Sequence, residues 1–93
     1  MGEAAIRGHA FARHNLGAVE VNNDRYERAK KHFITAATLG NHDSLKVLMQ
    51  FYAKGHASKE DYADALRAYQ AAVDATKSAE RKVAEAYFAH NRA

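Results

Sequence analysis

One set of residues returns at the same spacing in two separate parts of this chain. Tyr26, Ala29, Phe33 and Ala36 are matched by Tyr62, Ala65, Tyr69 and Ala72, each 36 positions later. Within each set the steps of three and four residues place every member on one face of an α-helix. A sequence that writes the same amphipathic helix twice in one frame is constrained to build the same supersecondary unit twice. Periods of this size mark stacked helical repeats.

The helices expected before these two align at other offsets. Leu16 falls on Leu48 after 32 positions, Leu48 falls on Val83 after 35, and Tyr52 falls on Tyr87 in that second frame. Turns absorb such differences at little cost. At the start, Ala4-Ala5-Ile6-Arg7-Gly8 reads like Ala36-Ala37-Thr38-Leu39-Gly40. The expected division is therefore a tail of a preceding unit (1–8), a first repeat (9–40), a second repeat (41–76), and the first helix of a third repeat or a C-terminal cap (77–93).

These residues carry a family resemblance. Ala12-Arg13-His14-Asn15-Leu16-Gly17, followed by Ala29, Phe33, Ala36-Ala37 and Gly40, resembles the Sel-1-like repeat, a relative of tetratricopeptide repeats. Its pattern is roughly A-x-x-x-L-G, a turn, then A-x-x-x-W/F-x-x-A-A-x-x-G. The match weakens along the chain, with Met49 and then Ala84 standing where the first unit has Gly17, and Glu20 standing where later units have Tyr52 and Tyr87. The resemblance implies an all-α fold, a right-handed superhelix of antiparallel helix pairs with about two and a half repeats. It also implies an adaptor role in larger complexes.

Local signals set the expected helices. The first spans about His9 to Val21 and buries Phe11, Ala12, Leu16 and Val19, with Gly17 in mid-helix admitting a close partner helix. Asn22-Asn23 turns the chain, and Asp24 with Glu27 reads as a capping box for the second helix. Gly40 is placed to close that helix in the left-handed conformation. Asn41 caps the third helix, whose expected stripe is Leu45, Leu48, Met49 and Tyr52. Ser58 with Asp61 caps the fourth, which carries Tyr62, Ala65, Leu66, Tyr69, Ala72 and Val73 and stops by Ala75 or Thr76. Ser78 then caps a last helix with Val83, Ala84 and Tyr87 inside and Phe88 left over as a contact point. Repeat packing is thus assigned to Ala12, Leu16, Gly17, Ala29, Phe33, Ala36, Gly40, Leu48, Tyr52, Ala65, Tyr69 and Ala72.

Composition narrows the functional classes. At 93 residues with 47% hydrophobic side chains and no proline, the chain suits a small helical domain. There is no cysteine, so a disulfide or thiolate site is ruled out. No stretch within the sequence reads as a secretory leader or a membrane span, and the default compartment is the cytoplasm. The six histidines (9, 14, 32, 42, 56 and 90) never stand three or four apart, so no helix offers a local ligand pair. Carboxylates are scattered as helix caps and solvated charges with no pair held by spacing, Ser44, Ser58 and Ser78 belong to helix starts, and no phosphate-binding glycine loop is present. The expectation is no catalytic site, no cofactor and no metal: a non-enzymatic interaction scaffold.

In helical repeats of this kind the first helix of each pair lines the concave face. Residues flanking Leu16, Leu48 and Val83 then give a candidate partner surface of His14, Lys46, Gln50, Arg81 and Glu85, with Ala18 beside them. Its polar-to-basic column suits an acidic or carbonyl-rich peptide or helical segment. Two rival readings stay open. One is structural self-association through exposed end helices. The other is weak RNA binding through Lys30-Lys31-His32 and Arg81-Lys82, consistent with a net charge of +3.

Overall fold

The computed structural model describes the backbone of residues 3–90 and the side chains of residues 5–77. It contains four α-helices and, among the described residues, no strand: α1 (Glu3–Asn22), α2 (Tyr26–Thr38), α3 (His42–Lys54) and α4 (Lys59–His90). Each is joined to the next by a turn of a few residues, so successive helices run antiparallel. Helix α2 sits at the centre, packed on all three others, and α3 packs on α4.

One device closes the first three helices. Asp24, Gly40 and Gly55 adopt positive φ of 59°, 96° and 83°. In each case the amide after the left-handed residue reaches back five positions: Arg25 N–H to Glu20 C=O, Asn41 to Ala36 and His56 to Phe51, at 2.9, 3.0 and 2.8 Å. This double-bonded termination satisfies helix-end carbonyls and turns the chain sharply. Gly40 does what its sequence position implies. Asp24 does not, because it is spent on ending α1 and cannot cap α2. The residue before α2 is Arg25, which makes no side-chain cap, and the other half of the expected box, Glu27, pairs with Lys30 at 3.3 Å.

The later caps form as expected. Asn41 Oδ1 accepts the Ser44 amide at 2.8 Å. Ser58 Oγ accepts the Asp61 amide at 3.0 Å while Asp61 Oδ2 accepts the Ser58 amide at 3.1 Å, a reciprocal box at the start of α4.

Two helices overrun the expected boundaries. Helix α1 passes through the 8/9 junction because residues 4–12 contain no cap and only one weak position, Gly8, which costs about 1 kcal/mol. Helix α4 passes through Ala75-Thr76-Lys77-Ser78, where no glycine, proline or asparagine interrupts it and Thr76 Oγ1 bonds back to the Ala72 carbonyl at 3.2 Å. Position 78 is therefore inside a helix and not at the start of one. The side chains of Ser78, Val83, Ala84, Tyr87 and Phe88 lie outside the described residues. At 1.5 Å per residue α4 is about 48 Å long, and it sets the long axis of a 60 × 24 × 15 Å molecule. The radius of gyration, 16.4 Å, exceeds the roughly 12 Å of a spherical domain of this length.

The core joins the middle of the molecule. Ala29, Phe33, Ala37, Leu45, Leu48, Phe51, Ala57 and Ala65 form one buried cluster, with Val21, Tyr26, Ile34, Val47, Leu66 and Tyr69 packed around it. Phe33 and Leu48 are the largest fully buried apolar side chains, each worth about 2–3 kcal/mol on burial. Phe33 lies on Gly17, where a Cβ would stand 2.8 Å from its Cε1 and Cζ atoms. Gly17 is thus the close-approach point that its place in the helix implies.

Four expected core positions on α1 face outward. Phe11 is 61% exposed, Leu16 47% and Val19 52%, and Ala12 is exposed beside them. The inward stripe is Ala10 and Gly17, buried, with His14 and Val21 half-buried beside them, because α2 brings the Phe33 ring so close at position 17 that no side chain fits there. In α3 the expected Met49 and Tyr52 are also exposed, and Phe51 enters the core instead, one turn from Leu48. Ala29, Phe33, Ala36, Leu48 and Ala65 are buried as expected, while Tyr69 and Ala72 are half-buried.

Candidate functional site

The histidines pack rather than converge. Tyr26 stacks on His56 with ring centroids 4.2 Å apart and planes within 5°, and His42 lies over Tyr69 at 5.8 Å. His14 meets the Phe33 ring edge-on at 5.2 Å, and its Nδ1 lies 2.7 Å from Ser44 Oγ. Phe33 in turn meets Phe51, and Phe51 meets Tyr26 and His56. A continuous line of rings thus crosses from α1 to the α3–α4 turn. Among the described residues no group of three or more His, Asp or Glu is placed to share a metal ion. No helix among them is long and apolar enough to cross a membrane.

The concave column is not assembled as expected at its first member. His14 is half-buried and turned onto Ser44, which is fully buried, so it links α1 to α3 and does not line an open surface. Ala18, Lys46 and Gln50 are exposed. The side chains of Arg81 and Glu85 lie outside the described residues.

A charged bridge joins α2 to α4. Lys30 Nζ lies 3.1 Å from Asp61 Oδ2 and 3.3 Å from Glu27. The Asp61 hydrogen bond holds the Lys30 ammonium above its ordinary pKa, with a smaller contribution from Glu27. The Ser58 amide and then Lys30 hold the Asp61 carboxyl below its usual range. One aspartate therefore serves both a helix cap and an interhelical ion pair. Its position explains the network as a structural tie, since the partners that fix it, Ser58 and Lys30, belong to this chain.

One open feature among the described residues is apolar. Leu16 and Val19 stand open along α1, and Ile6, at 41% exposure, lies nearer its N-terminal end. Beside it runs a groove of about 330 Å³ between α1 and α2, where Ile6, Ala12, Leu16 and Leu39 supply the apolar lining and His9, Arg13 and Thr35 the polar lining. Contiguous exposed apolar surface rimmed by polar groups marks interaction sites more than scattered single residues do. The lining holds no carboxylate, so its polar groups favour an acidic neighbour. The sequence pattern picks out this stripe but assigns it to the interior; it gives no sign that a second, smaller stripe on the same helix is the one buried.

No protein-family model, curated protein or solved structure matches the chain. The functional reading rests on the geometry of this surface and on the internal repeat.

Proposed function

We propose that this chain is a non-enzymatic protein–protein interaction module built from Sel-1-like repeats stacked as a short right-handed superhelix, and that its working surface is the outer face of α1. The observation that supports this reading is the row Ala12, Leu16 and Val19, exposed on a helix whose other side is locked under Phe33 at Gly17. Helix-in-groove recognition uses such rows, taking an amphipathic partner helix by its apolar face. The groove between α1 and α2 supplies the depth, and Arg13 supplies positive charge at its edge. In this reading His14 is a packing residue, and Lys46 and Gln50 belong to the solvated surface.

The test is a binding titration with a synthetic helical peptide of this chain's own residues 24–40, the α2 sequence with its flanking turns. Saturable binding that is lost in the Leu16→Asp/Val19→Asp variant, with helicity of the variant retained, is the expected result. Absence of binding to the unaltered chain, or equal binding to the variant, overturns the assignment of this face.

A further inference from the structure

The internal repeat says what should cover the α1 face. With Leu16 set on Leu48, the offset of 32 places Ala12 on Ser44 and Val19 on Phe51. In the second unit these positions are closed, with Ser44 and Leu48 at 0% exposure and Phe51 at 6%, beneath α2. In the first unit the same positions are open, with Leu16 at 47% and Val19 at 52%. Helix α1 therefore carries one half of the α2–α3 interface, unfilled.

The other half is also present and only partly covered. The residues of α2 that join α3 in the core include Phe33 and Ala37, at 2% and 0% exposure. Their counterparts 36 positions later are Tyr69 and Val73 on α4, and both are only half-buried. One molecule thus contains one completed interface and the two complementary halves of another, on its first and last helices.

Resting on the interaction reading above, we infer that the α1 face receives the Tyr69–Val73 face of α4 from a second copy of this chain, repeating the α2–α3 contact between molecules. Charge supports the pairing. Asp74 is exposed next to Val73, and the groove beside the α1 face carries the Arg13 guanidinium and no acidic residue. The contact joins two different faces, so it is heterologous and adds copies in series instead of closing as a symmetric dimer.

Sedimentation of the 93-residue chain over a wide concentration range tests this, with helicity read on the same samples. Mass should rise in open-ended steps. Leu16→Asp and Val73→Arg should each weaken assembly about tenfold or more, with Ala12→Glu replacing Leu16→Asp if that variant loses helicity. Mixing the two variants is decisive: each keeps one intact face, so together they should form a one-to-one pair and stop. A chain that stays monomeric at every concentration overturns the inference. The peptide of residues 24–40 then separates the causes, since its binding would leave the α1 face standing with another occupant, and its failure would remove both readings. Assembly abolished by Leu16→Asp but untouched by Val73→Arg, with no rescue on mixing, would mean α1-to-α1 pairing and also overturns it.

Discussion

Replacing Gly17 by alanine pits two opposing effects against each other. In a helix interior alanine is better than glycine by about 1 kcal/mol. At Gly17 the new Cβ would stand 2.8 Å from two ring carbons of Phe33 and 3.0 Å from a third. The ring cannot swing away cheaply: it is 2% exposed and held edge-on by His14 on one side and Phe51 on the other. Inserting a methyl into a closed site of this kind costs about 1–3 kcal/mol. The net expectation for Gly17→Ala is a loss of up to about 2 kcal/mol, or a fall in Tm of several degrees on the scale of about 4–8 °C per kcal/mol for a domain of this size. Gly8 supplies the control on the same helix, since nothing lies within 4 Å of the point where its Cβ would stand. Gly8→Ala should therefore raise stability, by up to about 1 kcal/mol. The assay is thermal and urea unfolding followed by circular dichroism, at one low protein concentration so that association does not shift the midpoint. Phe33→Leu in the Gly17→Ala background should recover part of the loss if the clash is its source. A Gly17→Ala variant as stable as Gly8→Ala would refute the close-approach argument.

Three further outcomes follow from the same geometry. Ala65→Leu, at a position 1% exposed in the core, should lower stability by about 1–3 kcal/mol through overpacking, and an unchanged unfolding midpoint would misplace the α4 face. Because Asp61 has a depressed pKa when folded, its contribution is present above the ordinary carboxylate range and is lost as pH falls through the folded value; Lys30, raised when folded, contributes below its ordinary pKa and loses that at strongly alkaline pH. Asp61→Asn should flatten the acid limb of a stability-against-pH curve, and an unaltered acid limb would remove this tie from the account. Asp24→Gly, at φ 59°, should stabilise slightly, by a few tenths to about 1 kcal/mol, whereas Gly40→Ala at φ 96° should destabilise; paired urea titrations giving the reverse order would contradict the turn assignment.

What could be read from the sequence depended on how each residue announces itself. Gly17, Gly40, Asn41 and the Ser58–Asp61 box depend on backbone geometry that few residue types satisfy, so their roles were legible. The face of α1 was not. That helix has two apolar stripes, and the greasier one, Ala12, Leu16 and Val19, is open because the Phe33 ring selects the smaller one. Hydrophobicity alone ranks the two stripes in the wrong order, and only the position of α2 settles the choice. Phe51 displaced Tyr52 from the core for a related reason, since the seam of α3 follows Ser44, Leu48 and Phe51 once Ser44 is pinned by Asn41 and His14. The end of α4 failed differently: the repeat frame implied a turn near Thr76, but residues 75–78 are ordinary helix formers and nothing in them stops propagation. Of the candidate surface, the residues were visible and their exposure was not.

The arrangement of contacts around α1 has a consequence in time. Helix α1 is held mainly by α2 and reaches α3 through the His14–Ser44 hydrogen bond, whereas α2, α3 and α4 all pack on one another. A helix tied to a single neighbour can detach without opening the three-helix remainder. Amides of α1 should therefore exchange with solvent through a local opening, sooner than those around Phe33 and Leu48. During folding the Gly40 and Gly55 turns can bring α2, α3 and α4 together first, and the closure of α1 over the Phe33 ring would be the last step to acquire protection.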